Sequence, residues 1–431
     1  MPYSLKFAAY ENILREELRP AMGCTEPIAI AYAAAILRHA LGGIPTRIHA
    51  GFSGNIIKNV KSVIVPMTGG KHGIEAALCA GIISGRPELR LEVLTVLGEG
   101  AGEEIDTLKR EVDIITYELN TSCTFELVLR GVKGRKHATV AIVGEHTNVT
   151  KVEVGGKNVT DRYSERGHEE VEKSTEDRSQ LSVEGIFKFA SETSLEEIAP
   201  LLRRQIELNM AIAKEGLTGN WGASIGKIIL DTSTGATSRA KAYAAAGSDA
   251  RMSGCELPVC IISGSGNQGI TASVPVVIYA EEIGADEEKL LRALIVSDLV
   301  TVHLKTGIGT LSAYCGAISA GVGAAAGICY LLGGDFRAVA HTIVNAVAIL
   351  SGTICDGAKP SCAAKIAMAV EAGILGYEMS KANKQFYGGD GIVTKGVENT
   401  IRNIGRLAKD GMLETDREII RIMLGKPKEI L

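Results

Sequence analysis

The stretch Ser351-Gly-Thr-Ile-Cys-Asp-Gly-Ala-Lys-Pro-Ser-Cys362 carries two cysteines, Cys355 and Cys362, on a short loop that glycine and proline interrupt. Runs of small residues flank this loop, from Val339 to Ile354 and, apart from one lysine, from Ala363 to Ala369. Such runs predict buried helices that pack closely on both sides of the loop. Two thiols in this setting are either inert core residues or ligands for a soft metal, such as zinc or an iron–sulfur cluster.

A third cysteine, Cys315, lies in a similar uncharged and glycine-flanked setting, Ser312-Ala-Tyr-Cys-Gly316. Three such cysteines without an evident fourth indicate a cluster in which one iron is left open. Zinc is less favoured because the chain has no CxxC pair and no close Cys/His quartet. From spacing alone, three structural core cysteines are an equally good interpretation.

Composition limits the classes of function. The 431 residues allow two or three domains, and 46% hydrophobic with 22% charged residues is typical of a well-buried globular chain. A net charge of −4 gives no attraction to nucleic acid or to anionic membranes, so we expect neither as a partner. The nine cysteines are odd in number and the N-terminus has no apolar signal-peptide core. We therefore expect a cytoplasmic protein with reduced thiols.

One stretch, Thr306 to Gly334, has no charged residue and is long enough to span a bilayer. Glycine and alanine dominate it, however, and no aromatic belt flanks it. We expect a buried helix here and no membrane segment.

Patterning predicts an α+β protein, with a small α/β sheet domain inserted after N-terminal helices and a large all-α, Ala/Gly-rich C-terminal domain. Residues 1–43 are expected to be helices that pack on the helical domain, and residues 44–160 an α+β domain with a mostly antiparallel sheet. The charge-rich residues 161–193 are expected to be a linker. Residues 194–431 are expected to form the helical domain that holds the cysteines.

The N-terminal segment places Cys24 just before a predicted helix that starts near Pro27, with Thr25 as a suitable cap. A helix N-terminus lowers the pKa of a thiol. Cys24 is therefore predicted to be a reactive thiolate, with a buried and inert cysteine as the alternative.

Two glycine-rich turns can present backbone N–H groups to an anion, Ser263-Gly-Ser-Gly-Asn-Gln-Gly269 and Pro66-Met-Thr-Gly-Gly-Lys-His-Gly73. Neither fits a dinucleotide-binding or a P-loop motif. The predicted substrate-binding residues on these turns are Thr68, Gly69, Gly70, Ser265, Asn267 and Gln268. Two further residues are possible auxiliary groups, His303 and Lys359, although His303 reads equally well as a core histidine.

Taken together, Gly23-Cys-Thr-Glu-Pro27, the Ser263–Gly269 turn, Leu311-Ser-Ala-Tyr-Cys-Gly316 and Ile354-Cys-Asp-Gly-Ala-Lys-Pro-Ser-Cys362 resemble the L-cysteine desulfidase family. That family is related to the α-chain of iron–sulfur L-serine dehydratases, and the resemblance covers nearly the whole chain. It implies that Cys315, Cys355 and Cys362 hold a 4Fe–4S cluster. The implied reaction converts L-cysteine to pyruvate, ammonia and hydrogen sulfide without pyridoxal phosphate.

The resemblance also implies that Cys24 is the base that removes the α-proton. No cysteine follows Cys362, so Cys24 can alternatively be the fourth cluster ligand at rest. An L-serine dehydratase with the same cluster is the main alternative activity, and a non-catalytic iron–sulfur sensor is a further one. A pyridoxal phosphate lyase is less favoured, because Lys305 and Lys359 lie near no phosphate-binding loop. We also expect a homo-oligomer that binds a small amino acid.

Overall fold

The computed structural model describes residues 3–163, 177–309 and 312–425. Across these ranges the chain forms sixteen α-helices and eight strands. In chain order the helices are α1 (Tyr3–Glu17), α2 (Thr25–Leu41), α3 (Gly54–Val60), α4 (Gly73–Ser84), α5 (Ala101–Glu111), α6 (Val183–Glu192), α7 (Ala199–Thr218), α8 (Ile225–Thr232), α9 (Ala236–Met252), α10 (Gly266–Ile283), α11 (Glu287–Ile308), α12 (Gly316–Leu331), α13 (Phe336–Ile349), α14 (Cys362–Lys381), α15 (Val397–Arg406) and α16 (Leu413–Leu424). The strands are β1 (Arg19–Met22), β2 (Arg47–Phe52), β3 (Asp113–Glu118), β4 (Glu126–Lys133), β5 (Lys136–Val143), β6 (Val149–Val154), β7 (Lys157–Asn158) and β8 (Pro258–Ile261).

Strands β2 to β7 form one sheet in the order β3-β2-β4-β5-β6-β7. The β2–β3 pair is parallel and the other pairs are antiparallel. Helix α2 packs on β4 and β5, and α4 packs on α2, so that their apolar side chains share one hydrophobic core with the sheet. The predicted α+β class, with a small and mostly antiparallel sheet, is confirmed.

Two short apolar runs in this domain that strand patterning favours, Ser62 to Pro66 and Leu91 to Leu97, are irregular segments in the structure. The first forms a single bridge between Ile64 and His72, and the second consists of 3₁₀ and turn conformations. Both segments bury valine side chains in the sheet core. A short apolar run has the same sequence pattern in a buried loop as in a strand, which explains the difference.

The second core is helical and centres on α12, which contacts α10, α11, α13 and α14. Small residues allow these contacts: a Cβ atom at Gly321 would lie 2.5 Å from the carbonyl oxygen of Ala369 in α14. The stretch Thr306 to Gly334 contributes the end of α11 and all of α12. No helix in the described ranges is long and apolar enough to cross a membrane.

Residues 1–43 were expected to form helices that pack on the helical domain, but only one of the two N-terminal helices does so. Helix α1 joins the helical core through Tyr10, Ile13 and Leu14, whereas α2 belongs to the sheet core. The reason is a tight crossing, because a Cβ atom at Gly81 of α4 would lie 2.0 Å from the carbonyl oxygen of Ala31.

The segment 161–193, expected to be a charged linker, needs a correction. Residues 164–176 lie outside the described residues, but α6 is a helix of the helical core. Its buried Val183, Ile186 and Phe189 follow helical spacing, and the Ser182 side chain caps it by accepting a hydrogen bond from the Gly185 N–H. The apolar stripe of α6 therefore places it in the helical core, although a charge-rich segment precedes it.

Two elements that the sequence analysis missed position the cavity described below. Strand β1 pairs antiparallel with β8, which fixes the segment before Cys24 against the segment before the Ser263–Gly269 turn. Helix α10 starts within that turn, and the Ser265 side chain caps it by accepting a hydrogen bond from the Gln268 N–H. The N-terminus of α2 and the N-terminus of α10 are thereby held side by side.

Asp298 is a buried carboxyl group in α11 of the helical core. Its Oδ1 accepts a hydrogen bond of 2.9 Å from Gln205, while its Oδ2 has no partner among the described residues. Burial raises the pKa of Asp298 to about 7, although the hydrogen bond from Gln205 opposes this shift. The neutral acid is therefore the form that suits this core.

Replacing Asp298 by Asn should remove a pH dependence of stability. The folded pKa lies above the unfolded value of about 4, so the contribution is fully present below pH 4 and is lost as pH rises through about 7. The stability of Asp298→Asn relative to wild type should therefore increase with pH, by up to about 4 kcal/mol. Urea unfolding at pH 5, 6, 7 and 8 measures the effect.

Ser297→Ala is the matched control, since it removes a buried hydrogen bond to Ala272 from the same helix without removing a titrating group. Its stability difference from wild type should be the same at every pH. Parallel pH profiles for Asp298→Asn and wild type would contradict the assignment of a neutral Asp298.

Candidate active site

A cavity of about 120 Å³ lies between the sheet core and the helical core. That volume is roughly ten times what one buried water requires, so the cavity can accept a larger group. The sheet side contributes Cys24, Thr25, Glu26, Lys58, Asn59 and His146 to its wall. The helical side contributes three kinds of group: the predicted cluster cysteines, the Ser263–Gly269 turn, and two buried cations.

The three predicted cluster cysteines all line this cavity. Cys315 immediately precedes α12 and Cys362 is the first residue of α14. Cys355 lies on the loop before α14, and its N–H donates a hydrogen bond of 2.6 Å to the Ala313 carbonyl, while the Cys315 N–H donates one of 2.9 Å to the Thr353 carbonyl. Two loops distant in sequence are thus paired by backbone bonds that hold Cys315 beside Cys355.

A charged cluster under the Cys355–Cys362 loop fixes its shape. Asp356 forms ion pairs with Lys359 and with Lys365, and Lys365 also donates to the Ile354 carbonyl. Burial by itself would raise the pKa of Asp356, but the two lysines lower it to about 2. Lys359, predicted as an auxiliary residue, therefore sits in this structural cluster, while the neighbouring Gly357 and Ala358 line the cavity.

Burial disfavours the thiolate form of Cys315 and Cys362 in a protein without metal. Burial, with the nearby Cys355, raises the pKa of Cys315 to about 12, and burial also raises the pKa of Cys362. A bound metal would reverse this, because coordination deprotonates a thiol. All three cysteines are free of disulfides.

The residues present fit an iron–sulfur cluster better than a single ion. Among the described residues, no group of three or more His, Cys, Asp or Glu side chains is arranged around one ion position. A cluster does not require such convergence, since each thiolate binds a different iron. The thiol-only donor set and the size of the cavity both fit a cluster.

Cys24 and Glu26 form a hydrogen-bonded pair on the opposite wall. The Cys24 thiol donates to Glu26 Oε2 at 3.0 Å, and the Asn59 amide donates to Glu26 Oε1 at 2.9 Å. Burial and the Glu26 charge raise the pKa of Cys24 well above its usual value. Burial alone would raise the pKa of Glu26 too, but His146 and the donors Cys24 and Asn59 lower it.

The prediction that the α2 N-terminus gives Cys24 a low pKa is therefore wrong for this structure. Desolvation and a neighbouring carboxylate outweigh the helix dipole. The resting pair is a thiol beside a carboxylate, which is an acid–base couple within the cavity.

A buried lysine from each side of the cavity lines it together with the cysteines. The Lys305 ammonium makes no ion pair or side-chain hydrogen bond to another described residue, and burial lowers its pKa to about 8, opposed by Cys355 and Cys315. Lys58 forms a buried ion pair of 2.5 Å with Asp416 of α16, and Asn55 donates to the same carboxylate at 2.8 Å. Both lysines line the cavity and make its charge suitable for anions.

The two predicted substrate-binding turns have different positions. Ser265, Asn267 and Gln268 line the cavity, whereas Thr68, Gly69 and Gly70 do not belong to its described wall. The Thr68 hydroxyl donates to the Val65 carbonyl at 2.6 Å, inside its own turn, and both glycines have positive φ. The turn with Thr68, Gly69 and Gly70 therefore has a local structural role, and its geometry does not support substrate binding there.

His303 also lies outside the described cavity wall. Its Nε2 is 2.7 Å from Glu398 Oε2, and Glu398 Oε1 accepts a hydrogen bond from the Val183 N–H. This cluster connects α6, α11 and α15, as a core histidine does.

The sequence analysis missed several residues of the cavity: Glu26, Lys58, Asn59, His146, Arg251 and Lys305. Glu26 had a signal, because it lies two residues after Cys24 at the start of the same helix. The others come from distant elements and are brought together by the tertiary fold.

Comparison with known proteins agrees with this arrangement of motifs. The family model for the serine dehydratase alpha chain matches residues 103–421, a range that includes Cys315, Cys355 and Cys362. A UPF0597 protein of Desulfitobacterium hafniense is 53% identical over 421 residues, which cover 97% of each chain. A UPF0597 protein of Lachnoclostridium phytofermentans is 48% identical over 96% of this chain and 98% of its own. By the family model and these relatives, the chain belongs to the serine dehydratase alpha-chain family, alongside the UPF0597 proteins.

Proposed function

We propose that the protein is an iron–sulfur lyase that converts L-cysteine and water to pyruvate, ammonia and hydrogen sulfide. The observation that carries this proposal is one cavity with three cysteine thiols on one wall and the Cys24–Glu26 pair on the other. In this proposal, Cys315, Cys355 and Cys362 hold a 4Fe–4S cluster. When bound, such a cluster supplies an iron without a protein ligand, which can act as a Lewis acid toward the leaving sulfur.

Cys24 and Glu26 supply the proton chemistry. The Cys24 proton moves along the 3.0 Å hydrogen bond to Glu26, which leaves a thiolate as the base. The thiolate takes the α-proton of the substrate, and the electron pair of the C–H bond forms the Cα–Cβ double bond. The Cβ–S bond breaks, its electron pair leaves with the sulfur as hydrosulfide, and the proton held on Glu26 converts this to hydrogen sulfide and restores the carboxylate. The 2-aminoacrylate product tautomerises and then takes up water to give pyruvate and ammonia.

Burial suits the pair to this task. A thiol with a raised pKa gives a strongly basic thiolate once its proton has moved to Glu26, and the lowered pKa of Glu26 makes that transfer an uphill step. Asn59 holds the second oxygen of Glu26, so that Oε2 remains directed at the thiol. The pairing supports Cys24 as base more than as a cluster ligand at rest, because the thiol already has a hydrogen-bond acceptor.

L-Serine is the second candidate substrate, and the name of the matched family favours it. The same groups would remove its α-proton, with hydroxide instead of hydrosulfide as the leaving group. Supplying each amino acid to the anaerobically purified protein, with pyruvate and sulfide measured, decides between the two. Pyruvate from L-serine alone would keep the chemistry and change the substrate.

Replacing any of Cys315, Cys355 or Cys362 by Ser should remove the cluster. We expect about four irons and four sulfides per wild-type chain, and a large loss of both in each variant together with loss of sulfide release. Iron and sulfide analysis with a visible spectrum under anaerobic conditions measures this. Cys123→Ser is the control, since Cys123 lies outside the cavity wall and a serine can keep its hydrogen bond to the Phe125 carbonyl.

Full iron content in all three cavity variants would contradict the ligand assignment. An iron-free wild-type protein that still cleaves L-cysteine would contradict the cluster-based proposal as a whole.

Replacing Cys24 by Ala should lower kcat by about 10²- to 10⁴-fold, the usual contribution of a general base, and leave the iron content unchanged. Glu26→Gln should lower kcat in the same direction, because the amide cannot accept the thiol proton. Steady-state kinetics together with iron analysis separates this role from cluster binding. Cys79→Ala and Glu75→Gln are matched controls outside the described cavity wall, and both should retain wild-type kcat.

If Cys24→Ala instead loses iron or changes the spectrum of the cluster, Cys24 is a ligand and the assignment as base is wrong. Retained activity with a full cluster would exclude both roles.

A further inference from the structure

Arg251, the last arginine of α9, is a cavity residue whose role the mechanism above does not use. It is only 4% exposed, and its Nη2 donates to the Gly23 carbonyl at 2.6 Å while its Nη1 donates to Asn267 Oδ1 at 3.1 Å. Its Nε is buried and has no hydrogen-bond partner among the described residues. A buried guanidinium with a free N–H and no carboxylate partner is an unusual and unsatisfied group.

The free Nε lies at the N-terminus of α10. A Cβ atom at Gly266, the first residue of that helix, would be 2.4 Å from Arg251 Nε, so the glycine is what allows the guanidinium to lie there. The helix has 18 residues, and its first N–H groups carry partial positive charge. The guanidinium and the start of α10 are therefore adjacent, and Arg251, Ser265 and Asn267 line the cavity beside each other.

A complementary group lies two residues further along α10. Gln268 is 5% exposed, and its Oε1 has no partner in the described chain. A Cβ atom at Gly316 would lie 2.7 Å from the Gln268 amide, which places that amide against the residue that follows Cys315. Along its wall the cavity thus presents the Arg251 guanidinium, then the free Gln268 acceptor, and then Gly316 beside Cys315.

We propose that Arg251 and the first turn of α10 bind the α-carboxylate of the substrate, and that Gln268 accepts a hydrogen bond from its α-ammonium. This order directs the β-substituent toward Cys315, where the bond is broken. The inference deepens the proposed function, because it identifies the substrate as an α-amino acid with a free carboxylate. Arg251 and Gln268 set specificity and do not move the proton.

Two small thiols test the proposal on the anaerobic holoenzyme. Both carry the thiol of cysteine, but 3-mercaptopropionate retains only the carboxylate and cysteamine only the ammonium. Arg251→Met should weaken 3-mercaptopropionate binding on the order of 100-fold, the size of a lost charge-assisted hydrogen-bond pair, and change cysteamine binding less than about threefold. Gln268→Met should weaken cysteamine binding and leave 3-mercaptopropionate binding nearly unchanged. The loss for cysteamine should be smaller than the loss that Arg251→Met causes for 3-mercaptopropionate.

Calorimetry with each thiol measures binding without turnover, and iron analysis verifies the cluster in each variant. Arg292→Met is the matched control, because Arg292 donates to the Ala190 carbonyl outside the cavity wall. It should change neither affinity. If Arg251→Met yields no folded protein, Asn267→Ala removes one support of the guanidinium, and the same selective weakening of 3-mercaptopropionate is expected.

Equal losses for both thiols in the Arg251 variant, or no loss for either, would overturn the proposal. A wild-type protein that binds 3-mercaptopropionate through Arg251 but does not cleave L-cysteine would refute the proposed reaction and leave the carboxylate site standing.

Discussion

The N-termini of four long helices meet at one cavity, and this convergence is the constraint on which the site depends. Thr25 of α2, Asn267 of α10, Gly316 of α12 and Cys362 of α14 all belong to its wall. Each start adds partial positive charge, and buried lysines and an arginine add full charges. Such a place is costly to leave without an anion, so thiolates, a carboxylate and Glu26 are the groups that suit it.

The small residues of the chain also help to bring these helix N-termini together. Close crossings such as α12 against α14, and α2 against α4, bring helix axes near enough for their first turns to meet. The scarcity of aromatic residues, 4% of the chain, follows from this architecture, because bulky rings would separate the helices. The close helix packing and the positive charge of the converging helix starts therefore both follow from a composition rich in small residues.

The fold class and the grouping of the cysteines depend on local sequence patterns and could be predicted. Residues that only the tertiary fold brings to the cavity could not. Alternating strands and Ala/Gly-rich helices predicted the α+β class, and similar glycine-flanked settings grouped Cys315 with Cys355 and Cys362. Arg251 and Lys305 had no such signal, because only the β1–β8 pairing and the helix crossings bring them to the cavity. For Cys24, position at a helix start was visible in sequence, but the desolvation that dominates its pKa was not.

The ion pair between Lys58 and Asp416 connects the sheet core to α16, close to the end of the described chain. Lys58 leaves the ribosome early and Asp416 late, and domains generally fold in the order of synthesis. The sheet domain can therefore fold while Lys58 still lacks its carboxylate, and this ion pair forms only once Asp416 has been synthesised. A nascent chain that contains Cys315, Cys355 and Cys362 but not yet Asp416 would hold these cysteines near a lysine without its carboxylate partner.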